Sequence, residues 1–218
     1  DKETYSKDAS GNYSVLDERY TTNYDNTFVT QQAELNFMKQ EEKYNITIGA
    51  SMQPSYTKSV GEGRDTSYTV TNFSPAARID YRFSDDKFLR VRYRGRTSQP
   101  SINQLMPVND NSDPLKQTVG NPNLDPEFTH SLSTEYRSNN RRNFSFFSAS
   151  ADFSFTQNDI VAKKYYTEEG VQISTYENAD KNVYSASGRI MVNTPIAKSN
   201  FSVNSFTMVR YNNGYSYV

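Results

Sequence analysis

Apolar and polar positions alternate along most of this chain. Tyr44, Ile46, Ile48, Ala50 and Met52 take one parity, and Asn45, Thr47, Gly49, Ser51 and Gln53 take the other. A period of two places successive side chains on opposite faces of a strand, so 44–53 predicts a strand with one apolar face. Residues 28–38 read the same way, with Val29, Ala33, Leu35 and Phe37 on one parity. In 67–83 the even set Tyr68 and Val70 gives way to the odd set Phe73, Ala77, Ile79, Tyr81 and Phe83. A parity change of this kind predicts a bulge near Phe73, Ser74 and Pro75. Leu89, Val91 and Tyr93 then alternate with Arg90, Arg92, Arg94 and Arg96.

Beyond residue 127 the pattern resumes. Phe128, His130, Leu132, Thr134 and Tyr136 make one face. Residues 143–166 predict a long strand with Phe147, Ala149, Ala151, Phe153 and Phe155 on one parity, and a hairpin tip at Glu168, Glu169 and Gly170. The chain returns through 171–176, meets a polar break at 178–182, and continues with Tyr184, Ala186, Gly188, Ile190 and Val192. Pro195 lies in the next turn, and Phe201, Val203, Val209 and Tyr211 mark the last strand. Short connections near 39–42, 84–87, 138–142 and 195–200 alternate with long ones near 58–66, 98–125 and the tip at 168–170. A continuous antiparallel meander without helix, short turns at one end and long loops at the other, is the layout of an outer-membrane barrel.

Composition narrows the classes. The 218 residues contain no cysteine, which removes disulfides and thiolate metal sites. A formal net charge of -1 gives no reason to expect nucleic acid as a partner. Hydrophobic residues make up 34%, and no run is long and apolar enough for a transmembrane helix. That average is compatible with a membrane barrel, in which every second strand residue faces lipid. Tyr 17 and Phe 13 suit strands and interfacial girdles. The first residues, Asp-Lys-Glu-Thr, do not read as a signal peptide, so the chain is expected to be an internal piece of a longer protein.

Arg90, Arg92, Arg94 and Arg96 share one face of their strand. Facing lipid near the midplane, each would cost roughly 2–4 kcal/mol, so they are expected to face water or a barrel lumen. Three roles remain open: a basic wall that pairs with a plug or attracts an anionic ligand, an ordinary solvated face, or cross-strand pairing with Asp and Glu. His130 is the only histidine, so neither a His-based metal site nor His catalysis is expected within the chain. Asp110, Asp113 and Asp125 fit no calcium-loop spacing, and no Gly-rich phosphate motif or nucleophile elbow occurs. Catalytic, metal and cofactor sites are all expected to be absent. Tyr165, Tyr166 and Tyr176 are weighed as a stacking surface for a sugar or ring against an interface girdle or cross-strand pairs.

The 32 residues 96–127 hold five of the eight prolines and show no apolar period, which predicts a long structured excursion from one end of the sheet. The stretch carries Arg96 three residues before Gln99 and Pro100, Leu105 five residues after Pro100, and the run Gly120, Asn121, Pro122, Asn123, Leu124, Asp125, Pro126, Glu127. This combination, flanked by aromatic strands, resembles the TonB-dependent-receptor-like outer-membrane β-barrel proteins of Gram-negative bacteria. The resemblance implies that Gln99, Pro100, Leu105, Gly120, Asn121, Pro122, Pro126 and Glu127 form an extracellular loop motif between two barrel strands. It implies an all-β fold: an antiparallel up-and-down meander of about eight long strands, part of a large transmembrane β-barrel and an open curved sheet when taken alone. Residues 1–218 would be a single partial outer-membrane β-barrel domain with no plug domain.

The function implied is that of a barrel-wall section in an outer-membrane receptor for TonB-dependent nutrient uptake. Its partners would be outer-membrane lipid, the plug domain of the full-length protein and through it TonB, a surface lipoprotein, and a nutrient ligand. Two alternatives are a soluble or surface-attached β-sandwich that binds carbohydrate or protein, and a plug-free barrel serving as an adhesin or scaffold. What the apolar face meets separates the sandwich from the barrel.

Overall fold

A computed structural model describes residues 5–8, 10–16, 24–61, 64–105, 115–196 and 199–214. The strands are β1 (Tyr5–Lys7), β2 (Tyr13–Leu16), β3 (Tyr24–Thr30), β4 (Ala33–Gln40), β5 (Tyr44–Gly61), β6 (Arg64–Ser84), β7 (Lys87–Ser98), β8 (Lys116–Thr118), β9 (Glu127–Asn140), β10 (Ser145–Gln157), β11 (Ile160–Tyr166), β12 (Gln172–Asn178), β13 (Val183–Pro195) and β14 (Ser202–Asn213). One helical turn, α1 (Ile102–Leu105), lies between β7 and β8. The chain forms two compact units, Asp1–Ala33 with Met52–Asn72, and Glu34–Ser51 with Phe73–Val218.

In the first unit β1 and β2 make a short hairpin. Its turn is held by the Asp8 carboxylate, which accepts the Ser10 and Asn12 amides at 2.9 and 3.0 Å. β3 pairs antiparallel with the far half of β5, from Tyr24 opposite Gly61 to Thr30 opposite Ser55. The expected loop at 58–66 is therefore replaced: β5 continues to Gly61 and β6 starts at Arg64. The ladder with β3 pairs the backbone of 58–61 in β5 whatever the side chains. The single strand expected at 28–38 is divided at Gln31 and Gln32. The Gln31 amide bonds to the Pro54 carbonyl at 3.0 Å, but proline has no N–H to return, and the ladder stops there.

In the second unit the strand order is β14-β13-β10-β9-β7-β6-β5, with β4 also paired to β5. The β6–β7, β7–β9, β9–β10, β10–β13 and β13–β14 ladders are antiparallel. β14 pairs only with β13, and no ladder joins it to β4 among the described residues, so the sheet is open. In its ladder with β7, β6 shifts register between Arg82 and Ser84. Near the expected bulge, the Thr97 hydroxyl takes over the backbone of Phe73, accepting its N–H at 3.1 Å and donating to its carbonyl at 3.0 Å.

Two further expectations are corrected. The strand predicted over 143–166 breaks at Asn158, whose φ of 55° lies in the left-handed region. β10 stays in the wall between β9 and β13, whereas β11 leaves it to pair with β12. The wall is an antiparallel meander as expected, but the meander is not continuous. β12 takes β8, from inside the long excursion, as a parallel neighbour, giving a separate three-stranded sheet of order β11-β12-β8. This sheet and the segment beside it hold the buried apolar residues described, namely Leu124, Val161, Ile173 and Ala179. Among the described residues the wall has no such apolar interior. Leu35, Phe37, Ile48, Ile190 and Val209 remain exposed.

Candidate functional site

The register fixes both faces of the wall. Ile79, Val91, Thr134, Ala151, Gly188 and Val209 form one row of direct partners across six strands. Tyr81, Leu89, Tyr136, Ala149 and Ile190 form another. Leu89, Val91 and Tyr93 thus share a face with Ile79 and Tyr81, and the arginines between them point the other way.

Aromatic side chains gather at two levels of the apolar face. At the short-turn end Tyr81, Phe83, Tyr136 and Phe147 are in successive contact, with ring centroids 4.8, 6.2 and 6.1 Å apart. At the other end His130 lies 4.7 Å from Phe128, 5.7 Å from Phe155 and 6.1 Å from Tyr93, and its Nδ1 is 2.9 Å from the Tyr93 hydroxyl. The single histidine is thus a member of this aromatic cluster. Tyr184 stacks on Tyr211 at 6.0 Å in the neighbouring strands. Phe147 faces Ser138, ten residues from Phe128 along β9. That is roughly 33 Å of extended chain, or a height of about 25 Å at the usual tilt, matching the apolar band of an outer-membrane barrel.

The opposite face is charged and hydroxylated. Asp80, Arg90 and Glu135 are direct partners on β6, β7 and β9. Arg90 Nε is 2.6 Å from Asp80 and Arg90 Nη1 is 3.6 Å from Glu135. Arg78 and Arg137 close the network at 2.5 and 2.6 Å on the same two carboxylates. Phe88, which falls on this face, lies between the guanidiniums of Arg90 and Arg137 at 5.4 and 5.6 Å. Arg92, Arg94 and Arg96 are exposed. Opposite Arg92 and Arg94 on β9 stand Ser133 and Ser131. The four arginines therefore share a face but not an environment. Further along, Ser131, Ser133, Ser154, Ser185 and Ser187 floor a depression of about 460 Å³ that contains Asp152 and Arg210.

The loop motif has a partner that its own stretch does not contain. Asn178, at the end of β12, donates from Nδ2 to the Asp125 carbonyl at 2.9 Å and to the Asn158 carbonyl at 2.8 Å, and its Oδ1 accepts the Asp125 amide at 2.8 Å. Asn121 Nδ2 donates to the Tyr176 carbonyl at 2.9 Å, and the Glu127 carboxylate accepts the Ile160 amide at 2.8 Å. Leu124 is buried between these anchors in sequence. Gly120 and Pro100 are buried as well, Leu105 is half-buried and Pro122 is exposed. Gln104 ties the start of the excursion to its end, because its carbonyl accepts the Asn121 amide at 2.6 Å. The motif is a clasp that joins the excursion to the β11–β12 hairpin. Sequence reading places Asn178 in a polar break and gives no signal for its role.

Tyr165, Tyr166 and Tyr176 do not form one surface. Their partners on the hairpin are Ile173, Gln172 and Ala162. Asp110 and Asp113 lie outside the described residues. No group of three His, Cys, Asp or Glu suited to a metal ion occurs among the described residues, and no helix among them is long and apolar enough to cross a membrane.

Residues 1–217 match the outer membrane protein beta-barrel family. The chain belongs to that family and is an outer-membrane β-barrel protein. Its fold is similar to the siderophore receptor PirA from Pseudomonas aeruginosa, with a TM-score of 0.54 and 15% identity over 88% of this chain. The alignment spans 44% of the receptor, less than half its length. No curated protein matches this sequence.

Proposed function

We propose that residues 1–218 form part of a single barrel domain, without a plug of its own, in the wall of an outer-membrane receptor for TonB-dependent nutrient uptake. The apolar face meets lipid, the face bearing Arg90, Arg92 and Arg94 lines the interior, and the excursion with the β11–β12 hairpin lies on the extracellular side. One observation carries the orientation: the wall separates a charged, serine-rich face from an apolar face banded by aromatics at membrane spacing. A soluble sandwich would need a second sheet over the apolar residues, which instead remain exposed among the described residues. The protein acts by binding and passage of a nutrient rather than by making or breaking bonds. Its partners are a plug domain elsewhere in the full-length protein, TonB acting through that plug, and a surface lipoprotein covering the loops.

Two measurements on the full-length protein test this. Cysteines placed singly at Val91 and Arg92 are probed with a water-soluble maleimide in intact outer membranes, with labelling expected at position 92 and protection at 91. Growth on candidate nutrients is compared with and without a working TonB system, and the expected result is growth that needs both this protein and TonB. Labelling at 91 with protection at 92 would reverse the faces, and uptake indifferent to TonB would leave a barrel with another role.

A further inference from the structure

We propose that the depression framed by Arg78, Arg92 and Arg94 binds an anionic group, the phosphate or carboxylate of a small solute. The proposal rests on the reading of this face as the barrel interior and names the chemistry that the interior selects.

Arg90 shows what a structural arginine on this wall looks like, with a carboxylate opposite it on each neighbouring strand. Two residues on, the pattern inverts. Arg92 faces Arg78 on one side and Ser133 on the other, and Arg94 faces Ala76 and Ser131. Like charges directly opposite across a ladder are destabilising. Arg78 is engaged by Asp80, whereas no carboxylate among the described residues forms an ion pair with Arg92 or Arg94. The three guanidiniums, Ser131, Ser133 and Glu34 border one depression of about 740 Å³. Glu34, the acid on its rim, accepts a hydrogen bond from Asn36 at 2.6 Å.

Guanidinium forks match the geometry of phosphate and carboxylate oxygens. The two serine hydroxyls beside them supply further donors. Small side chains opposite Arg92 and Arg94 leave room for a ligand where Glu135 fills the space opposite Arg90. Asp152 stands beyond Ser133, two strands from Arg92, or about 10 Å. The adjoining serine-floored depression holds Asp152 and Arg210, one charge of each sign, whereas the Arg78 side has three arginines to the one carboxylate of Glu34 and is the more favourable seat for an anion.

The test uses the full-length protein in detergent, titrated with pyrophosphate and separately with citrate at constant ionic strength, binding being read by calorimetry. The expected result is saturable binding of at least one probe, weakened about tenfold or more in Arg92→Gln/Arg94→Gln. Which probe binds more tightly tells phosphate from carboxylate. Arg141→Gln, which removes one positive charge at a turn where Arg141 pairs with Asp86, should bind like the wild type. Resistance of the unheated protein to unfolding in sodium dodecyl sulfate checks that each variant is a folded barrel. Absence of saturable binding by the wild type, or equal binding by the double variant, overturns the proposal. It is also overturned if the double variant loses thermal stability without any probe and the wild type binds neither, because the protein's own chain then occupies the arginines. Cysteine labelling at Val91 and Arg92 reports the orientation separately: position 92 labelled with neither probe bound sinks this proposal alone.

Discussion

Asn178 and Asp125 exchange two hydrogen bonds, at 2.8 and 2.9 Å, across 53 residues of chain. The third bond of the same side chain reaches the Asn158 carbonyl, so one amide joins the loop motif, the end of β12 and the point where β10 gives way to β11. Asn178→Ala removes all three bonds and leaves the backbone groups of the exposed residues Asp125 and Asn158 to water. The local cost is about 1–3 kcal/mol. Hydrogen exchange should rise in 116–126 and 160–178 and stay unchanged in β9, β10 and β13. Unchanged exchange in the excursion would show that the clasp does not hold it.

Leu124 belongs to the buried apolar set of the excursion, whereas Leu132 lies on the exposed apolar face of the wall. Leu124→Ala should cost about 2–5 kcal/mol locally. Protease cleavage between 115 and 178 should become faster, while barrel assembly is preserved. Failure of the variant to assemble would mean that the excursion forms before the wall and is required for it.

Val91 and Arg92 are neighbours on opposite faces. In the proposed orientation Val91→Arg puts a guanidinium into the lipid-facing band at a cost of roughly 2–4 kcal/mol near the midplane, and Arg92→Ala does not. In an outer-membrane assembly assay the first should lower the yield of folded protein and the second should leave it unchanged. Equal tolerance of both would remove the physical basis of the face assignment.

Arg90 and Arg92 share a face yet should respond differently to alanine. Removing Arg90 strips the cation between Asp80 and Glu135, a loss of about 1–3 kcal/mol for hydrogen bonds to a half-buried charge. Removing Arg92 relieves its opposition to Arg78. Denaturant unfolding of the two variants should show Arg90→Ala less stable and Arg92→Ala close to the wild type. The reverse order would contradict the charge network.

Gly95 is enclosed. A Cβ there would lie 2.7 Å from the Phe128 ring and 2.7 Å from the Pro75 ring. Gly95→Ala should therefore destabilise β7 by about 1–3 kcal/mol through overpacking, read as a lower thermal unfolding midpoint. An unchanged midpoint would mean that the two rings move apart freely.

The amino-acid order alone determined the alternation, and with it which residues share a face. Leu89, Val91 and Tyr93 must oppose Arg90, Arg92 and Arg94 in any extended chain, because side-chain direction follows from backbone geometry. It also marked residues 120–127 as a distinct unit. Register and long-range partners required the tertiary structure. Nothing near Arg90 or Arg92 in sequence distinguishes them, yet pairing with β6 and β9 gives the first two carboxylates and the second an arginine and a serine. The division of 143–166 turned on Asn158, which adopts a left-handed φ and whose carbonyl Asn178 holds in place. In sequence the loop motif reads as a connection between two strands, and only the fold brings Asn178 to it from another hairpin. Face is a local property of the backbone, whereas a partner is set by how distant strands align, and the chain encodes that alignment only through the fold as a whole.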